Sequence, residues 1–350
     1  MRLNNRYPVK FMGESFERLD SVINPQIDAV IAWVDGSDPK HFAKMQEHLD
    51  GRMLGKATRY ANNGEIYYCI ASILKFAPFI RRIWIVSDNQ KPQFIDEFAK
   101  AGLCEQDFIQ IIDHTVLFAG FEEVLPTFNA RTIEAMFWRI PELSEHYIYL
   151  NDDFFMNRSL TPDFFFRNGM PVIFGKWAPP QRWRLKTFFR NALRVQKAVQ
   201  PNKRPTYRLA HELGARIAGF TKKFLLVDHL PHPMRKSTQQ AYYQSQPEIL
   251  YKQIKFRTRN IEQYSPVALI NHLEIAARNA YIHKPVDIAY VTPHALLFIY
   301  RFAQQVRSHH RVFGCIQSLD GFSGPAVRLI RKVMRQKLGQ FLPETITFND

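Results

Sequence analysis

The run His146-Tyr-Ile-Tyr-Leu-Asn-Asp-Asp-Phe-Phe155 constrains the fold more than any other stretch of the chain. Its first five residues, rich in β-branched and aromatic side chains, read as a buried strand. The strand stops at Asn151, Asp152 and Asp153, and apolar sequence resumes at once with Phe154. Two adjacent carboxylates at the end of a core strand are costly to bury unpaired. A divalent cation would compensate them, because Mg²⁺ takes one or two carboxylates and completes its shell with phosphate oxygens and water. Ligands of open α/β sheets sit outside the carboxyl ends of the strands, where this pair falls. A capped turn with two solvated aspartates is the plainer reading, and the local pattern alone leaves it open.

The flanking sequence supplies the sheet. Ile27–Val34 is a short, continuous apolar run, the mark of a strand covered on both faces, and it stops at the turn cluster Asp35-Gly-Ser-Asp-Pro39. Tyr60–Lys75 reads as a helix with Asn62-Asn-Gly-Glu65 at its mouth and Ile66, Ile70, Ile73 and Leu74 at helical spacing. Ile83–Ser87 is a second buried strand ending in Asp88-Asn-Gln90, Phe94–Lys100 a helix, and Phe108–Ile112 a third strand. Such alternation argues a parallel sheet with right-handed crossovers. Phe128–Ile140 reads as one amphipathic helix, with Ile133, Met136, Phe137 and Ile140 as its stripe and Arg131 and Glu134 able to pair on another face.

These elements describe an α/β, Rossmann-like core over residues 27–175, preceded by an extension, 1–26. Residues 176–350 are expected to form a mainly helical subdomain that completes the site. Asn191–Phe220, Val267–Ala280 and Ala326–Leu338 read as helices, and Val227–Lys236 as a loop that carries His229 and His232 with Pro231 and Pro233.

Charge enters where partners are concerned. The net charge is +15, and Gln181–Lys223 holds 12 Lys/Arg against the single acid Glu212. A second basic cluster, Arg328, Arg331, Lys332, Arg335 and Lys337, lies near the C-terminus. Such clusters suit an anionic polymer or the anionic inner face of a membrane, or they form a solvated face. No zinc-finger, KH or RNP signature accompanies them, which argues against nucleic acid. Cys69, Cys104 and Cys315 show neither CxxC nor zinc spacing, as expected of a reducing compartment. Met1–Lys10 has no apolar core of a signal peptide, and no run of about 18 apolar residues occurs. The expected location is cytoplasmic, with peripheral association at the inner face of the membrane as a candidate interaction.

The polar residues at element ends are acids that bind metal, histidines that can move a proton and an arginine that can grip phosphate, which together serve phosphoryl transfer. Neither Gly-x-x-x-x-Gly-Lys nor Gly-x-Gly-x-x-Gly occurs, so P-loop and dinucleotide readings lose their support. Four stretches carry a resemblance. They are Ile27–Pro39; Arg59–Glu65 with Ile83–Ser87, Leu125–Glu134 and Arg139–Phe154; His229-Leu-Pro-His-Pro with Lys255-Phe-Arg257; and Cys315–Asp320. They resemble the regions of the Stealth family, sugar-1-phosphate transferases of bacterial capsule synthesis related to the lysosomal-enzyme N-acetylglucosamine-1-phosphotransferase.

The resemblance implies a Rossmann-like (GT-A-like) fold and transfer of a sugar-1-phosphate from a nucleotide-diphosphate sugar, UDP-linked, to a glycan acceptor, with release of UMP. It implies Mg²⁺ or Mn²⁺ as cofactor, Asp152 and Asp153 as its ligands, and capsule assembly machinery as a candidate partner. Glu134, Asp153, His229 and Arg257 match the residues the family needs for activity, with His229 as proton acceptor and Arg257 on the phosphoryl oxygens. Asp35, Gly36, Asn63, Glu65, Asp88, Arg131 and His232 are candidates for binding substrate. Three departures stand out: Asn62 replaces an acid, Tyr67 and Ala71 replace arginines, and the fourth region survives only as Cys315-Ile-Gln-Ser-Leu-Asp320. Two alternatives remain, a metal-dependent glycosyltransferase that releases UDP and a non-catalytic protein that binds anionic glycan or membrane.

Overall fold

The computed structural model describes residues 26–49, 62–181, 206–293 and 296–347. Its centre is a sheet whose strands are β1 (Ile27–Ala32), β2 (Ile80–Ser87), β3 (Ile109–Asp113) and β4 (His146–Asn151), all parallel, in the order β3-β2-β1-β4. Successive side chains of a strand point to opposite faces, and the two faces bury separate cores. Ala29 and Ile31 join Ile83, Ile85, Ile148 and Leu150 on one side. Val30 joins Trp84, Val86, Tyr147 and Tyr149 on the other. Both faces are apolar, so the strands read as unbroken hydrophobic runs, and each isoleucine removed from water contributes about 1.5–3 kcal/mol.

After the Asp152–Asp153 turn the chain forms β5 (Phe154–Met156), then β6 (Phe166–Arg167), β7 (Met170–Ala178), β8 (Phe224–Val227) and β9 (His232–Arg235). Strand β9 pairs antiparallel with β4, His232 opposite Tyr149, and closes the fifth position of the central sheet. The stretch expected as a loop is therefore partly strand. Two prolines and only four paired residues hide it in the sequence, and Pro233 is tolerated because β9 lies at the sheet edge. The strands β10 (Tyr281–His283), β11 (Ile288–Val291) and β12 (Phe313–Ile316) follow. Strand β10 pairs with β7, and β12 lies between β11 and β5. The second half thus adds strands to every sheet besides the helices Tyr207–Ile217, Pro266–Ala276 and Gly324–Leu338. The larger core continues into the last of these through Ile330, Val333 and Met334.

Other local differences have physical causes. Of the helix expected over Tyr60–Lys75, the described part begins at Glu65, after Gly64 at its N-cap with φ 88°, a left-handed conformation that costs glycine nothing, and residues 60 and 61 lie outside the described residues. The Phe94–Lys100 helix is regular only over Glu97–Lys100. The Phe128–Ile140 helix breaks into Ala130–Glu134 and a 3-10 turn, Phe137–Arg139. Gln239 donates to the Glu134 carbonyl at 2.8 Å and Gln253 to that of Arg131 at 3.3 Å, so side chains from elsewhere take acceptors a continuing helix would use. Of the expected Asn191–Phe220 helix, Tyr207–Ile217 is helical, and the part before 206 lies outside the described residues with most of the basic segment.

Candidate active site

Where β1, β2 and β4 end, their carboxyl termini open into a cleft of about 600 Å³. Trp33 and Val34 beyond β1, Asp88 beyond β2 and Asn151–Asp153 at the end of β4 form its floor, and Tyr207, His229 and Arg259 stand on its wall. The position follows from the topology, since β1 runs between two parallel neighbours and all three strands end on one side.

Asp152 and Asp153 lie in the two-residue turn between β4 and β5, enclosed by protein but partly open to the cleft. Burial, then the charges of Asp153 and Glu65, push the Asp152 carboxyl well above its usual range. Burial raises Asp153 to about 6, against the hydrogen bond from the Cys315 thiol, whose Sγ is 3.3 Å from Oδ2. Oδ1 of Asp153 is buried and has no partner among the described residues. Cys315 reaches this turn because Gly314, opposite Phe155 in the β12–β5 pair, has no side chain to strike the Phe155 ring.

Glu65 is raised as well, chiefly by burial and further by Asp153, against bonds from the peptide N–H groups of Asn63 at 2.8 Å and Leu319 at 3.2 Å. An unpartnered buried oxygen within a set of carboxylates that resist ionisation fits a cation. Among the described residues no three His, Cys, Asp or Glu side chains are arranged to hold one alone. Asp152 and Asp153 therefore fit an ion that takes two carboxylates and completes its shell from substrate and water.

Of the proposed nucleotide contacts, Asp88 lies on the floor of the cleft. Burial would raise its carboxyl, but bonds from His41 at 3.4 Å and Lys44 at 2.9 Å outweigh this and hold it well below the usual range. Asp35 and Gly36 sit half-buried just beyond the lining. The Asp35 carboxylate accepts from Ser37 and, at 3.3 Å, from Asn62, while its peptide group exchanges two bonds with the Gln90 side chain. Asn63 reaches the site through its N–H to Glu65.

His229 follows β8 and lies open to the cleft, its ring edge-on to Phe154 at 4.8 Å. The surrounding protein, with the Arg259 charge, lowers its imidazole to about 4, a tendency that cleft water moderates, so it is neutral at pH 7. Behind it a smaller recess of about 120 Å³ takes in Arg131, Glu134, His211 and His232 and shares Tyr207, His229 and Arg259 with the cleft. Burial raises the Glu134 carboxyl against the charges of Arg259 and Arg131, and Tyr149 Oη lies 3.2 Å from its Oε1 and 2.8 Å from Asn151 Oδ1. His232, the first residue of β9, is buried and held near 3 by that burial.

The structure places Arg257 away from the cleft lining. It is exposed and donates to the Leu125 carbonyl at 3.2 Å, while its own carbonyl accepts from Phe128 N–H at 2.8 Å. The guanidinium in the cleft belongs to Arg259, two residues on. In an irregular segment two residues do not fix a direction, so the sequence alone does not separate Arg257 from Arg259. Sequence reasoning also missed His41, His114, Tyr207, Gln317 and Ser318 in the lining. His114 directly follows Asp113 at the end of β3, so the strand-end signal that marked Asp88 could have found it. Asp320 is exposed on the far side of the Leu319 N–H that reaches Glu65.

The fold and the cleft define an α/β protein with an acidic, cation-compatible ligand site at the carboxyl edge of a parallel sheet. Residues 25–51 match the model of Stealth protein CR1, conserved region 1, and residues 59–173 that of Stealth protein CR2, conserved region 2. Over these two regions the chain is similar to Stealth proteins. It is 36% identical over 197 residues to the capsular polysaccharide phosphotransferase cps1A of Actinobacillus pleuropneumoniae, covering 49% of this chain and 52% of that protein. It is 27% identical over 284 residues to the receptor polysaccharide phosphotransferase WefC of Streptococcus oralis, covering 74% and 81%. The chain spans about half the length of the curated relatives it first matches. Among solved structures, the galactosyltransferase LgtC with donor and acceptor sugar analogs aligns at TM-score 0.43 and 13% identity, covering 91% of this chain and 97% of that one. No helix among the described residues is long and apolar enough to cross a membrane.

Proposed function

We propose that this cleft transfers a sugar-1-phosphate from a UDP-linked sugar to a hydroxyl of a glycan acceptor. The observation that carries the reading is the presence, on one cleft, of the Asp152–Asp153 pair, a neutral His229 and the Arg259 guanidinium. The relatives named phosphotransferases support it. The acceptor oxygen attacks the β-phosphorus, the bond from that phosphorus to the bridging oxygen breaks, and UMP leaves with the bond's electron pair. His229 takes the proton that the acceptor oxygen loses. An imidazole lowered by burial and a nearby cation rises again when a diphosphate dianion lies beside it, which suits a base working near neutrality.

Arg259 stabilises charge on the phosphoryl oxygens as the bond breaks. Trp33, Val34 and Phe128 give the nucleotide apolar walls, and Asp88, kept ionised by His41 and Lys44, orients that end of the cleft. Mg²⁺ or Mn²⁺, held by Asp152 and Asp153, supplies neutralisation of the diphosphate charge when bound. A glycosyltransferase would use the same acidic pair but would release UDP. Incubating the purified protein with UDP-sugars and acceptor and separating UMP from UDP distinguishes the two.

A further inference from the structure

We infer that the recess behind His229 is the subsite for one hydroxyl-bearing edge of the acceptor sugar, with Glu134 and His211 accepting hydrogen bonds from it and Arg259 donating one. The inference rests on the phosphotransfer reading for the direction of approach. If the donor diphosphate lies by Asp152 and Asp153, the acceptor oxygen must reach both its β-phosphorus and the His229 ring, and the recess that shares Tyr207, His229 and Arg259 with the cleft adjoins that point.

The chemistry of the recess selects what enters it. His211, on the helix Tyr207–Ile217, is 1% exposed, and its Nδ1 lies 3.0 Å from the Tyr207 carbonyl. A carbonyl only accepts, so Nδ1 carries the proton and Nε2 presents a lone pair. That Nε2 is buried and has no partner among the described residues. Burial keeps the ring neutral at pH 7, so Nε2 stays an acceptor. A carboxylate or phosphodiester has no hydrogen to offer a lone pair, whereas a hydroxyl does. Glu134 is a second acceptor on the same recess, with Tyr149 Oη beside Oε1. Two acceptors facing a guanidinium donor match neighbouring hydroxyls, each of which both gives and receives. Buried polar groups matched to a hydroxyl discriminate strongly against an analogue that lacks it.

The test measures binding of methyl glucoside, methyl galactoside and methyl N-acetylglucosaminide, with their monodeoxy analogues, to the full chain in the presence of UDP and Mn²⁺. At least one parent glycoside should bind, and loss of one particular hydroxyl should weaken it about tenfold. In His211→Phe that penalty should fall below about twofold while UDP affinity holds, and His211→Gln, whose amide oxygen accepts, should restore it. Equal affinities across the deoxy series of wild-type protein would overturn the inference without reference to any variant. So would binding of methyl glucuronide or inorganic phosphate with none of the neutral glycosides. Nucleotide release from UDP-sugars by the same protein separates the two levels. UDP as product contradicts phosphotransfer while a hydroxyl-selective subsite stands, and UMP with a flat deoxy series removes the subsite alone.

Discussion

The Cys315 thiol donates to Oδ2 of Asp153 at 3.3 Å, and the next peptide N–H, of Ile316, donates to the Asp153 carbonyl at 2.9 Å. Strand β12, more than 150 residues further along the chain, thereby fixes the carboxylate just beyond β4 and leaves its other oxygen without a protein partner among the described residues. Groups that orient a metal ligand in this way influence affinity without touching the ion.

The first prediction concerns that ion. Mg²⁺ or Mn²⁺ should raise the melting temperature, since a ligand at 100 times its Kd stabilises the folded state by about 2.7 kcal/mol. Asp153→Asn should remove both the shift and turnover while leaving the metal-free melting temperature unchanged or higher. Cys315→Ala should weaken metal affinity about 10–100-fold. Thermal melts over a metal titration check all three, and full activity in excess chelator would refute the metal's role.

His229 and His232 should behave differently. His229→Ala should lower kcat by about two to four orders of magnitude with donor affinity nearly unchanged. His232→Ala should cost less in kcat and more in stability, because its strand pairs with β4. The surrounding protein and then the Arg259 charge lower His229 in the free cleft, and a bound dianion raises it. A base must be unprotonated, so activity is lost as pH falls through its pKa. The acidic limb of kcat should therefore lie at higher pH than that of kcat/KM, and both limbs should vanish in His229→Ala. A wild-type profile in the variant would move the proton acceptor elsewhere.

Arg259 should be the phosphoryl contact. Arg259→Ala should reduce kcat about 10²–10³-fold. Arg257→Ala should act only through the Leu125–Phe128 loop it braces and cost less than tenfold. The reverse order in steady-state kinetics would restore Arg257 to the site.

Far from the cleft, buried Asp28 accepts two bonds from Arg81, at 2.9 and 2.7 Å, and one each from Trp84 Nε1 and Ser144 N–H at 2.9 Å. Asp28→Ala strands all these donors and should cost about 3–5 kcal/mol in denaturant unfolding, as breaking a buried ion pair does. A loss below 1 kcal/mol would mean that water replaces the carboxylate.

The sheet and the acidic turn were legible because strand runs, their polar ends and the Asp152–Asp153 pair are local signals. β9 was not, because a four-residue edge strand with a proline shows no alternation to read. The broken helix at Glu134 was hidden for a different reason, since Gln239 and Gln253 lie more than 100 residues away. Arg259, His211 and the Cys315–Asp153 bond share that difficulty: each acts across a contact that only the folded chain makes. Glu65 and His229 could be singled out because each lies within two residues of a glycine or proline, Gly64 and Pro231, that marks an element boundary.

The most direct measurement is the nucleotide product of a metal-supplemented reaction with UDP-sugars and a glycan acceptor, resolved by anion-exchange chromatography and ³¹P NMR. Phosphotransfer at the Asp153–His229 cleft requires UMP in step with a new phosphodiester, and neither product from Asp153→Asn. Stoichiometric UDP with no phosphodiester would contradict it and assign the same carboxylates to glycosyl transfer.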